Sequence, residues 1–145
     1  MQPPWRDLKE TEMLVLRQRQ RGRFLPGSVS RLRKLVMKCG DDPDAEAAIC
    51  YHGSLALLFE FDRDWPKALK HRRVEIRKIR RLHKLAEQNC SDAPALQGYQ
   101  DEDLRQRLEI LEQVQSKSIT EPDAPPNRRA ARPRPVRAAR RRGGR

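Results

Sequence analysis

From Asp64 to about Asn89 the apolar residues recur at helical rather than strand spacing, and this one segment limits the chain to a helical fold. At about 100° per residue, Trp65, Ala68, Leu69, Ile76, Ile79, Leu82 and Ala86 share one broad face. Lys70, Arg73, Arg77, Arg80 and Lys84 form a stripe elsewhere on the same cylinder. One face is thus made for packing and another for water. Asp64 is suited to cap the N-terminal amides, and Pro66 falls in the first turn, where a missing N–H removes no hydrogen bond.

Gly, Pro and Asp punctuate the rest of the chain into four more helical segments. The expected ranges are about 7–20, 28–39, 44–62, 65–89 and 100–117. Ser28 or Ser30 is the expected N-cap of the second, with Gly40 as its C-cap. Asp42 or Asp44 is expected to cap the third, in which Ile49, His52, Leu55, Ala56 and Phe59 recur at helical spacing. In the fifth, Leu104, Leu108 and Leu111 are expected to face inward, with Asp101–Arg105 and Asp103–Arg107 as i,i+4 pairs. The fold class is all-α, with a helical domain over 1–118 and a tail over 119–145.

That tail is compositionally separate. It contains five Pro, two Gly and nine Arg but only two acids, so it carries +7 of the net +12. With one aliphatic residue larger than alanine after Ile119 it has nothing to bury, and disorder is expected. Its Arg128, Arg129, Arg132, Arg134, Arg137, Arg140, Arg141 and Arg142 form a basic arm. Concentrated positive charge favours polyanions through counterion release. The arm is therefore a candidate contact for DNA or RNA, and the Lys70, Arg73, Arg77, Arg80 and Lys84 stripe is a candidate extension of it. A GC-rich genome would also produce such a tail, and a solvated helix face would also carry such a stripe.

Residues 49–80 resemble a single tetratricopeptide repeat, a helix–turn–helix unit of about 34 residues. Leu55 with small Ala56, aromatic Phe59, the Asp64–Trp65 pair in the turn and Ala68 match that family's pattern, and the stretch LALLFEFDRDWPKALKHRRVEI is similar to the longer repeats of kinesin light chains. The resemblance implies an antiparallel hairpin packed through Leu55, Ala56, Phe59, Trp65, Ala68 and Ile76. It also implies recognition of a protein partner. The pattern is broken twice: Arg63 stands at the usual turn glycine, and Glu75 stands at a later alanine position, where a carboxylate would sit poorly against a following helix. One repeat cannot bury its own apolar faces, so flanking helices must cap it or the protein must self-associate.

Function classes are narrowed by what does not occur. The longest apolar stretch near the N-terminus is Met13–Leu16, shorter than a signal-peptide core, and no run approaches a membrane span, so a cytoplasmic location is expected. Cys39, Cys50 and Cys90 have no C-x-x-C spacing and read as reduced packing residues. His52, His71 and His83 do not combine with them into a known ligand frame, and no nucleophile, phosphate-loop or dinucleotide pattern is present. The sequence therefore predicts a non-enzymatic interaction module with no metal, no cofactor and no identifiable small-molecule substrate. The alternative is a dedicated nucleic-acid-binding protein that uses stripe and arm together.

Overall fold

A computed structural model describes residues 3–41, 44–88 and 101–121. They form five α-helices and, among the described residues, no strand: α1 (Pro3–Gln20), α2 (Pro26–Cys39), α3 (Ala45–Phe61), α4 (Trp65–Gln88) and α5 (Asp101–Thr120). The basic arm, with all eight of its candidate arginines, lies outside the described residues, as do Asn89 and Cys90.

Local chemistry explains most helix ends. Asp44 caps α3, its side chain accepting from the Ala47 amide at 3.0 Å. Asp64 Oδ1 accepts from the Lys67 amide at 3.3 Å as α4 begins. Two starts fall earlier than the sequence suggested. α1 begins at Pro3, which brings Trp5 into the core at 8% exposure. α2 begins at Pro26, whose fixed φ suits a first turn. Ser28 is consequently one turn inside α2, and its hydroxyl accepts from Gln18 Nε2 at 2.9 Å.

The α3–α4 hairpin is the most extensive packing in the molecule. Leu55 and Phe59 are half-buried in it, while Ala56, Trp65, Ala68 and Ile76 are buried. Both alanines are about 1% exposed. Between the helices, Arg63 adopts φ 62°, the left-handed region where glycine is cheapest. The turn therefore keeps the geometry of a glycine while carrying an arginine.

The apolar core forms in two parts. The larger joins Trp5, Leu8, Val15 and Leu16 of α1 to Val29, Leu32 and Val36 of α2, Leu57 and Leu58 of α3, Leu69 of α4, and Ile110 and Val114 of α5. The smaller is Ile49, Ile79 and Leu82, flanked by Leu104. On α4, Glu75 falls between Leu69 of the larger part and Ile79 of the smaller.

That intermediate level is polar. Glu75 is fully buried and accepts from Arg72 Nη1 at 2.5 Å and from Arg107 Nε at 2.8 Å, while Arg72 and Arg107 are each about 1% exposed. Glu12 of α1, also about 1% exposed, reaches the same place. Gly53 makes room for both acids: a Cβ there would lie 3.1 Å from Glu75 Cδ and closer still to carboxylate oxygens of Glu75 and Glu12. The expectation that Glu75 would sit poorly against a following helix is thus overturned, because α5 supplies Arg107 and the carboxylate becomes the joint between the helices.

Arg107 also corrects the phase of α5. Its buried line is Arg107, Ile110 and Val114, with Leu104, Leu108 and Leu111 half-buried beside it rather than centred on the core. Arg105 is bonded to Glu102, and Arg107 Nη1 donates to the Asp103 carbonyl at 3.2 Å.

Two substitutions test this joint. Arg107→Leu leaves Glu75 with one cation in the core, and a loss of about 3–5 kcal/mol is expected in urea unfolding. Gly53→Ala forces two buried carboxylates apart, and about 1–3 kcal/mol is expected on the scale of overpacking. A parent-like midpoint for either variant would contradict the packing described.

Candidate functional site: a basic ridge on helix α4 and a groove at the hairpin turn

The buried face of α4 determines what its other face presents. With Leu69, Arg72, Glu75, Ile76, Ile79 and Leu82 turned inward, Lys70, Arg73, Arg77, Arg80 and Lys84 are all exposed. None of the five forms an ion pair with another described residue. From position 70 to position 84 they extend over about 21 Å of helix. The structure thus brings the predicted stripe together as an exposed basic ridge.

Beside its start lies a histidine pair that sequence spacing did not foresee. His52 Nδ1 and His71 Nδ1 are 3.1 Å apart, so one ring donates and the other accepts. The His71 ring is stacked on Phe59, with centroids 5.5 Å apart. Burial holds His71 down to about 4, with the His52 ring and the Lys70 ammonium acting in the same direction. Burial likewise lowers His52, against the pull of Asp41. Both rings are therefore neutral at pH 7. No group of three or more metal-ligating side chains occurs among the described residues. Cys50 is buried in the main core and Cys39 Sγ lies 3.5 Å from the Pro4 carbonyl, which fits packing roles for both thiols.

The buried acids are perturbed in opposite directions. Burial, with Glu75 beside it, pushes Glu12 up to about 7 despite Arg107 and Arg72. Burial would also raise Glu75, but Arg72 and Arg107 overcome it and hold the carboxyl below its ordinary range. With Glu12 protonated, the charges at this joint are one carboxylate between two guanidinium groups. Glu60 completes the set from α3, 3.9 Å from Arg72 Nη2 and 2.7 Å from Arg19 Nε.

Glu60 also lines a groove of about 690 Å³ at the end of the bundle where the α3–α4 turn meets the α1–α2 connection and α5. Arg19, Arg23, Arg63 and Lys117 ring it, and Phe24, Phe61, Trp65 and Val114 supply apolar surface. Phe24 and Phe61 meet edge to face at 5.9 Å, and the Arg63 guanidinium stands over Trp65 at 5.9 Å. Sequence reading assigned Trp65 to hairpin packing and did not find the groove, since its residues come from four separate segments.

The missed residues of the buried joint did leave a signal. Glu12 lies four residues from both Leu8 and Leu16, and Arg72 and Glu75 fill the gap between Leu69 and Ile76 on the packing face of α4. Charges of both signs in inward phase on different helices indicate mutual neutralisation.

No family model, curated protein or solved structure matches the chain. Among the described residues no helix is long and apolar enough to cross a membrane.

His71 and Glu12 act on stability in opposite directions. From pH 6.5 down towards 4 the unfolded chain takes up a proton that folded His71 refuses, so stability falls on acidification. Between 4.5 and about 7 the folded protein keeps a proton on Glu12 that the unfolded chain releases, so stability falls on alkalinisation. Glu12→Gln should therefore be more stable than the parent by about 1–3 kcal/mol at pH 8. That gain should vanish near pH 4.5, which leaves a steeper acid loss below pH 6.5. Parallel stability curves from urea unfolding across this range would refute the assignment.

Proposed function

We propose that the chain is a non-enzymatic helical interaction protein that holds a polyanion, of which a nucleic-acid backbone is the main candidate, along the α4 ridge and the arginine-rich arm. The observation that carries this reading is the exposure of Lys70, Arg73, Arg77, Arg80 and Lys84 without ionic partners among the described residues. A merely solubilising helix face is commonly interlaced with acids at i±4, whereas this one has a single sign along its length. The arm adds charge of the same sign. Contacts of this type position a backbone without reading bases. The non-enzymatic reading is supported by the state of the most perturbed acids, Glu12 and Glu75, which are sealed in the core and committed to neighbouring helices.

A second reading, an adaptor of tetratricopeptide type related to the kinesin-light-chain repeat, draws on the hairpin. Its support is the burial of small Ala56 and Ala68 and the left-handed backbone of Arg63 at the position of the repeat's turn glycine. In that reading α1, α2 and α5 serve as the caps that a single repeat requires, and a protein partner or a second copy docks on the remaining surface. The cytoplasm is the compartment both readings assume.

A salt titration tests the ridge. Against a labelled duplex of arbitrary sequence, Arg73→Gln, Arg77→Gln and Arg80→Gln combined should reduce the slope of log affinity against log salt by about 2–3. A chain ending at Glu121 should bind more weakly yet keep a measurable slope that the triple change removes. If the triple variant titrates like the parent, the ridge is only a solvated face.

A further inference from the structure

We propose that the groove at the hairpin turn is a docking site for a short acidic peptide segment that carries a bulky apolar side chain beside its carboxylates. The proposal goes beyond the ridge and involves none of its five cations.

Charge and shape point the same way. Four cations, Arg19, Arg23, Arg63 and Lys117, border the groove against one lining acid, Glu60, which Arg19 already neutralises at 2.7 Å. Arg23 is exposed and forms no ion pair with a described residue, so it is available to a second carboxylate. The volume of about 690 Å³ lies within the range of ligand clefts, and its open form suits an extended segment rather than an enclosed small molecule.

The rim already holds a carboxylate. Glu121, directly after α5, is bonded to Arg63 and lies 3.5 Å from Lys117 Nζ. This contact shows which chemical group the rim recognises and makes Glu121 a built-in competitor for it.

The floor is aromatic. Trp65 lines the groove at 8% exposure. Phe61 is 38% exposed beside it, an aromatic face left open at the same place. Finally, Arg63 keeps a side chain at a backbone conformation that favours glycine, and it uses that side chain to span Trp65 and Glu121. Strain retained at a recognition surface is a recurring association.

The ridge and the arm would also attract acidic peptides, so the test compares two probes of equal charge. Full-length protein is titrated calorimetrically with the acetylated, amidated peptide Asp-Glu-Phe-Glu-Asp-Glu and with the same peptide carrying Ser for Phe. The groove predicts a preference for the Phe peptide of about tenfold, equivalent to about 1.4 kcal/mol. Phe61→Ser and Lys117→Glu, both at exposed positions and checked for parent-like thermal melts, should each abolish that preference. Glu121→Gln should tighten the Phe peptide about two- to fivefold by removing the competitor, the scale of an exposed ion pair. The Arg73→Gln, Arg77→Gln and Arg80→Gln combination should leave the preference intact, so groove and ridge fail separately. Equal binding of both peptides by the parent overturns the proposal. So does a preference that survives in Phe61→Ser, or Phe61-dependent binding of oligothymidylate that exceeds that of the Phe peptide, which would make the occupant a single-stranded nucleic acid.

Discussion

The fold depends on one arrangement of charge in a place without water: Glu75 clasped between Arg72 and Arg107 over the bare backbone of Gly53. Apolar contacts alone would let five amphipathic helices pack in several relative rotations, because leucine and isoleucine faces tolerate repacking. A buried carboxylate tolerates almost none. Glu75 is stable only when α5 is turned so that Arg107 meets it, and only when α3 offers a residue with no side chain at the point of contact. Replacing a whole buried ion pair by apolar residues commonly costs little in stability, whereas removing one partner leaves a bare charge in the core. The arrangement therefore acts on specificity of packing, and Glu12 extends it to α1, its carboxyl pushed up to about 7 by burial.

The orientation of α4 follows, and with it the surface. Once Arg72 and Glu75 point inward, the residues one step around the helix must point out, so Arg73, between them in sequence, and Arg77, just after, face solvent. Two arginines on one helix, a single residue apart, have opposite roles: Arg72 neutralises the interior and Arg73 charges the exterior. Glu60 links the interior to the groove, since one of its oxygens lies towards Arg72 and the other is held by Arg19 at the rim.

Periodicity made the helices readable from sequence because burial of one face is a repeating demand, and Trp65 to Leu82 satisfies it for over four turns. It failed where the burying partner was polar. On α5 the leucines 104, 108 and 111 were read as the inward line, yet the true centre is Arg107, because an arginine counts as solvent-facing until its carboxylate is known. The same rule hid Glu12 and turned Glu75 into an apparent misfit. The start of α2 falls earlier than expected for a different reason: at a first turn the Pro26 ring fixes a helical φ. The groove was invisible in principle, as its residues are neighbours only after α1, α3, α4 and α5 have met.

Arg63 joins these strands of argument. A non-glycine residue in the left-handed region costs on the order of 1 kcal/mol. Its contacts within the protein, an exposed ion pair with Glu121 and a guanidinium over the Trp65 ring, each return at most about that amount and more commonly less. The turn is then near break-even as a structural element, and glycine would serve the backbone better. An arginine that adds little to folding but stands at the mouth of an aromatic groove is suited to binding, because the turn places it there before any partner arrives.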